Sequence, residues 1–169
     1  MNSPEPVASI AAIAEDVGDG ALVGAGTVTT TQQIDSVIAA GGRLIVSPHC
    51  DFELIAYAVK QRLTVLPGVL TPSEMMRAMD AGASGLKVFP AELVPPRGIK
   101  AMKAVLPPEV PVFVVGGIHA GNMGEYLAAG ATGFGIGGSL FKPGKPLSDI
   151  EKDAKALVAA FHNARETAK

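Results

Sequence analysis

The sequence predicts an α/β protein built on parallel β-strands. Three observations carry that expectation. Six short apolar runs alternate with amphipathic stretches of helical spacing along the whole chain. Each run is nearly continuous rather than alternating in polarity, as a strand covered on both faces should be. Each ends on glycine, proline or threonine, where a strand hands over to a loop.

The elements follow in order. Residues 6–17 predict a leading helix. The first strand is 21–26 (ALVGAG), ending at Thr27. Residues 30–40 predict a helix with Thr30 at its start and Gly41-Gly42 as its stop. The second strand, 43–47 (RLIVS), ends at Pro48, and the helix 51–61 has Asp51 as its N-cap. The third strand, 63–66 (LTVL), ends at Pro67-Gly68. The helix 71–81 opens on TPSE, with Pro72 at the first helical position and Glu74 completing a capping box with Thr71. The fourth strand is 85–89 (GLKVF), followed by a helix over 99–105. The fifth is 111–115 (PVFVV), then a helix over 121–129. The sixth is 132–136 (TGFGI), and 148–168 predicts the closing helix. Right-handed crossovers would join the strands. Two architectures fit this alternation, an open doubly wound sheet and a (β/α)₈ barrel.

Composition narrows the function classes. The chain has 169 residues, 48% of them apolar and 18% charged, which excludes a disordered chain and predicts a single domain. The net charge of −2 argues against a nucleic-acid partner. One cysteine, Cys50, leaves no disulfide framework and no thiolate metal cluster, as expected of a cytoplasmic protein. The apolar runs are too short to cross a membrane. The first six residues lack the basic start and apolar block of a signal peptide.

Lys87 is the leading chemical candidate. It stands inside an apolar strand, where burial favours the neutral amine that Schiff-base chemistry needs. The competing reading is a lysine that extends its charged head to the strand end. Gly116-Gly117 and Gly137-Gly138-Ser139 each end one of the last two strands, ahead of a helical stretch. Glycine lets backbone N–H groups approach an anion, so the two pairs point to a phosphate site, with ligand-free tight turns as the alternative. Gly24-Ala25-Gly26-Thr27 lacks the rest of a dinucleotide fingerprint. Thr27 is instead a hydroxyl at a strand end. His49, Cys50 and Asp51 sit on a strand-to-helix turn and read as a solvated helix start rather than a metal site. His119 reads as a loop residue near the phosphate site, and His162 as exposed. Met75, Met76 and Met79 share helical spacing and read as core packing.

Six motifs together carry a resemblance: VGAGTV (23–28), Ser47-Pro48, LPG (66–68), LKVFPAE (86–92), VGGI (115–118) and GIGGSLF (135–141). Their order and spacing resemble the 2-keto-3-deoxy-6-phosphogluconate aldolase family. Within it the chain is most similar to the 2-dehydro-3-deoxy-6-phosphogalactonate aldolases, through IKAMKAVLP (99–107) and through Val115, where gluconate-type enzymes usually carry threonine. The resemblance implies a (β/α)₈ TIM barrel and a class I aldol cleavage with no cofactor and no metal. It implies a homo-oligomer, usually a trimer. The small-molecule partners would be a phosphorylated keto sugar acid, pyruvate and glyceraldehyde 3-phosphate. Lys87 would form the Schiff base. Thr27, Pro48 and Phe89 would bind the substrate, and Gly116, Gly117, Gly138 and Ser139 would hold its phosphate.

The resemblance also sets an expectation about the N-terminus. Family members carry a strand–helix–strand before the helix at 6–17, and those strands supply an arginine and the glutamate proposed as general acid/base. Asn2-Ser3-Pro4 matches the segment just after that second strand. The expectation is therefore a truncated barrel of about six strands, through a misassigned start, a fragment or a short natural variant. Lys87 should still form an imine with pyruvate, while turnover should be impaired. The alternative is a phosphate-ligand-binding barrel, or an inactive fragment, without catalysis.

Overall fold

The computed structural model describes residues 1–167. The chain is α/β, and its paired strands run parallel. It divides into two compact units, Met1–Lys87 and Val88 onward.

The first unit opens with α1 (Pro6–Val17), at the predicted bounds, with proline in its first turn. Then come β1 (Gly24–Ala25), α2 (Thr31–Ala39), β2 (Leu44–Val46), α3 (Phe52–Lys60), β3 (Thr64–Leu66), β4 (Gly68–Val69), α4 (Pro72–Asp80) and the start of β5 (Leu86–Val88). β1, β2 and β3 pair in that order, with Ala25 beside Ile45 and Ile45 beside Val65. The caps are those the sequence predicts. The Thr30 hydroxyl accepts from the Gln33 amide, and the Asp51 carboxylate accepts from the amides of Glu53 and Leu54. Thr71 and Glu74 form a full capping box. Ile34, Val37, Ile45, Ile55, Val65 and Met75 are all but inaccessible to solvent and form the core of this unit.

The second unit carries the turn Ala91–Leu93, α5 (Pro96–Lys103), β6 (Val112–Val115), α6 (Met123–Ala128), β7 (Gly133–Gly135) and α7 (Leu147–Thr167). β6 and β7 pair with Val114 beside Phe134. Its core holds Ile99, Val112, Val114, Met123 and the ring of Tyr126.

Four expectations change. The first strand shrinks to two residues, Gly24–Ala25; Thr27, at φ 58°, interrupts the extended backbone after it, and the Val28 amide donates to the Val46 carbonyl. A further strand, β4, follows Pro67, where a turn was expected; its Val69 is buried. α5 starts three residues early, because Pro96 occupies the first helical position instead of a loop. Met75 alone of the three methionines is core, since Met76 points outward and Met79 is half-buried. The last residue predicted for the closing helix, Ala168, lies outside the described residues.

Candidate active site

In the first unit the site is built at strand ends. Lys87 is the middle residue of β5, between two fully buried neighbours, and is itself only 8% exposed. Its amide donates to the Pro67 carbonyl at 2.9 Å. Its Nζ donates to the Ser47 carbonyl at 3.4 Å. Burial pushes its pKa below the ordinary lysine value, because desolvation disfavours the ammonium. The residue is therefore a buried amine held within the strand, and the reading that carries its head out to solvent does not hold.

Ser47 and Pro48 follow β2 directly. The Ser47 amide donates to the Leu66 carbonyl, one residue before the carbonyl that takes the Lys87 amide. Gly68 presses against the Pro48 backbone so closely that an added Cβ would lie 2.5 Å from the Pro48 carbonyl carbon. Thr27, two residues past β1, lies in the left-handed region and is exposed.

In the second unit a cavity of about 510 Å³ brings together Phe89, Gly116, Gly117, Gly138 and Ser139, five of the predicted site residues. Gly116 and Gly117, directly after β6, have φ of 108° and 62°. Those angles strain any residue with a Cβ. Their turn is knitted by side chains: Asn122 Nδ2 donates to the Gly117 carbonyl, and the His119 amide donates to Asn122 Oδ1. His119 lines the same cavity. The helix that follows, α6, spans only six residues, and α7 begins at Leu147, well past Ser139. The expected helix termini behind the two glycine pairs are thus weak or remote. An anion in this cavity would be met by the backbone of these turns and by the Ser139 hydroxyl.

Sequence reading missed one wall of this cavity. The Glu92 carboxylate lies across the glycine pair: its Cγ is 3.0 Å from where a Cβ on Gly117 would stand, and a Cβ on Gly116 would overlap the carboxylate itself. Glu92 was visible as the last residue of LKVFPAE, but nothing in its spacing signalled this contact. Among the described residues no cluster of three or more His, Cys, Asp or Glu could hold a metal ion. The Asp51 carboxylate, 3.9 Å from His49 Nε2, is engaged as a helix cap, and Cys50 Sγ donates to the Glu74 carbonyl.

The model of the family described as KDPG and KHG aldolase matches residues 1–158. The chain belongs to that aldolase family. The probable 2-dehydro-3-deoxy-6-phosphogalactonate aldolase of Rhizobium meliloti is 44% identical over 161 residues, 95% of this chain and 76% of that protein. The 2-dehydro-3-deoxy-6-phosphogalactonate aldolase of Escherichia coli is 42% identical over 97% of this chain and 80% of its own length. A solved structure described as native KDPGal superimposes with a TM-score of 0.95 at 41% identity, over 98% of this chain and 80% of its own. Among the aldolase's described residues no helix is long and apolar enough to cross a membrane.

Proposed function

We propose that this chain is a lyase, a Schiff-base aldolase that cleaves 2-dehydro-3-deoxy-6-phosphogalactonate to pyruvate and glyceraldehyde 3-phosphate. The observation that carries the chemistry is Lys87, a buried amine in β5 with a lowered pKa. The two galactonate-epimer relatives support the choice of epimer.

Lys87 Nζ attacks the C2 keto carbon, and loss of water gives an iminium. The C4 hydroxyl gives its proton to a base, the C3–C4 bond breaks, and its electrons pass into the iminium. Glyceraldehyde 3-phosphate departs and leaves an enamine. Protonation at C3 and hydrolysis release pyruvate and restore the amine. The low pKa of Lys87 serves the first step, because only the neutral amine carries the attacking lone pair.

In the same reading Thr27 and Pro48 line the keto-acid end, Phe89 packs near the substrate, and Gly116, Gly117, Gly138 and Ser139 take the phosphate. The positive φ of Gly116 and Gly117 and the shared cavity support the phosphate assignment. The alternation of helices with parallel strands supports one domain of the TIM-barrel class. The enzyme works without a metal, in the cytoplasm, as a homotrimer. Phe141, Leu147 and Val158, apolar side chains left exposed, support association of copies.

Borohydride reduction in the presence of pyruvate tests the reading. A covalent adduct mapped to Lys87 by mass spectrometry is the expected result, together with its loss in Lys87→Met. Full aldol cleavage by Lys87→Met would overturn the assignment. Cleavage rates on the two C4 epimers test the substrate, with the galactonate form expected to be faster.

A further inference from the structure

Ser47 has no part in the scheme above, yet it is 2% exposed and fully engaged. Its hydroxyl donates to the His49 carbonyl at 2.7 Å, closing the turn 47–49 on itself. Its amide is fixed to the Leu66 carbonyl at 3.2 Å. Gly68 backs the turn from the other side, since a Cβ there would stand 2.5 Å from the Pro48 carbonyl oxygen and 2.9 Å from the His49 nitrogen. The turn directs the Ser47 carbonyl at Lys87, 3.4 Å from Nζ.

We propose that Ser47 is a positioning residue for Lys87: its hydroxyl locks the turn 47–49 so that its carbonyl orients the attacking amine. This rests on Lys87 being the Schiff-base lysine. A lysine's N–H groups and lone pair turn freely about the carbon–nitrogen bond unless something holds one N–H. A carbonyl accepts an N–H but has no proton to give. It therefore holds the nitrogen both as ammonium and as amine, and in the amine it leaves the lone pair directed away from itself. Orientation of this kind lowers the barrier to attack without tightening substrate binding. The two partners are also held in common register. The Ser47 and Lys87 amides donate to consecutive carbonyls, those of Leu66 and Pro67.

The test is the rate of borohydride trapping of pyruvate on Lys87 across a range of pyruvate concentrations. Ser47→Ala should slow trapping at saturating pyruvate by about tenfold, within the ~10²-fold that misplacement by an ångström costs. The half-saturating pyruvate concentration should stay within about twofold of wild type. Ser47→Thr, which keeps the hydroxyl, should restore the rate. Ser47→Cys, of similar shape but a weaker donor, should fall between the two and serves if alanine does not fold. Wild-type trapping in a folded Ser47→Ala or Ser47→Cys chain would overturn the positioning role alone. So would a folded Ser47→Thr chain as slow as the alanine variant. No adduct on wild-type Lys87 would overturn the Schiff-base reading and the positioning role with it.

Discussion

Lys87 Nζ lies 3.4 Å from the Ser47 carbonyl, in a strand whose three residues are all buried. Burial holds the Lys87 pKa below the ordinary lysine value, because desolvation disfavours the ammonium. The folded chain then binds fewer protons than the unfolded chain between the lowered and the ordinary value. Stability rises with pH across that window, and below it the protonated lysine costs stability in full. Lys87→Met should therefore melt higher than wild type at pH 7, by about 2–4 °C for each kcal/mol recovered. The gap should close as pH rises toward the ordinary lysine range. Melting curves of both proteins across that range check it, and a gap of opposite sign at pH 7 would refute the account.

The glycine pair after β6 gives a prediction that separates the two ends of the substrate. Gly116 has φ 108°, and an added Cβ would also meet the Glu92 carboxylate and stand 3.1 Å from the Ala91 nitrogen. Gly116→Ala should lose about 1–2 kcal/mol of stability. Its KM for the phosphorylated substrate should rise by about tenfold, a binding loss of about 1.4 kcal/mol. Pyruvate, which has no phosphate, should still be trapped on Lys87 at the wild-type rate. Equal damage to both measurements would count against a phosphate role for this turn.

Much of the local structure was legible because it is written in short-range chemistry. Thr30, Asp51 and the Thr71–Glu74 pair mark helix starts through hydrogen bonds spanning two or three residues. Lys87 stood out because a lysine between leucine and valine in an apolar run is costly wherever the fold puts it. What escaped depends on contacts distant in sequence. The Glu92 carboxylate meets Gly116 and Gly117 only because the turn Ala91–Leu93 folds against the end of β6. Ser47 reads as an ordinary strand-end serine until Lys87, forty residues on, is seen beside its carbonyl. Met76 misled because helical spacing places it near Met75 but not on the same face.

Glu74 should make the chain acid-sensitive. Its carboxylate accepts from the Leu70 amide at 2.9 Å and from the Thr71 amide and hydroxyl at 2.8 Å. The backbone N–H of Leu70 leads in holding its pKa below the ordinary glutamate value. A carboxyl lowered on folding contributes stability that is complete above its unfolded pKa and lost as pH falls through its folded one. Glu74→Gln should cost about 1 kcal/mol at pH 7, comparable to loss of a helix cap. The difference from wild type should narrow below pH 4. Urea unfolding at several pH values checks this, and a constant difference would show that the carboxylate charge plays no part.

Tyr126 supports the turn that carries Glu92. Its ring is buried on α6, and its hydroxyl lies 3.4 Å from the Ala91 carbonyl and 3.2 Å from that of Val94. Burial leads in raising its pKa, with the Glu92 charge adding to it, so the phenol keeps its one proton and shares it between the two acceptors. Tyr126→Phe preserves the ring and removes that donor. Two carbonyls then lose their link to α6, at about 1 kcal/mol. The turn 91–94 should loosen, and with it the carboxylate lying over Gly116 and Gly117. KM for the phosphorylated substrate should therefore shift severalfold while the rate of pyruvate trapping on Lys87 stays unchanged. Adding Glu92→Gln to Tyr126→Phe discriminates further. If the tyrosine acts on binding through the position of the Glu92 charge, the double variant should show the KM of Glu92→Gln alone, because removing that charge leaves nothing for the loosened turn to displace. Strict additivity of the two effects would instead mean that Tyr126 shapes the cavity independently of Glu92.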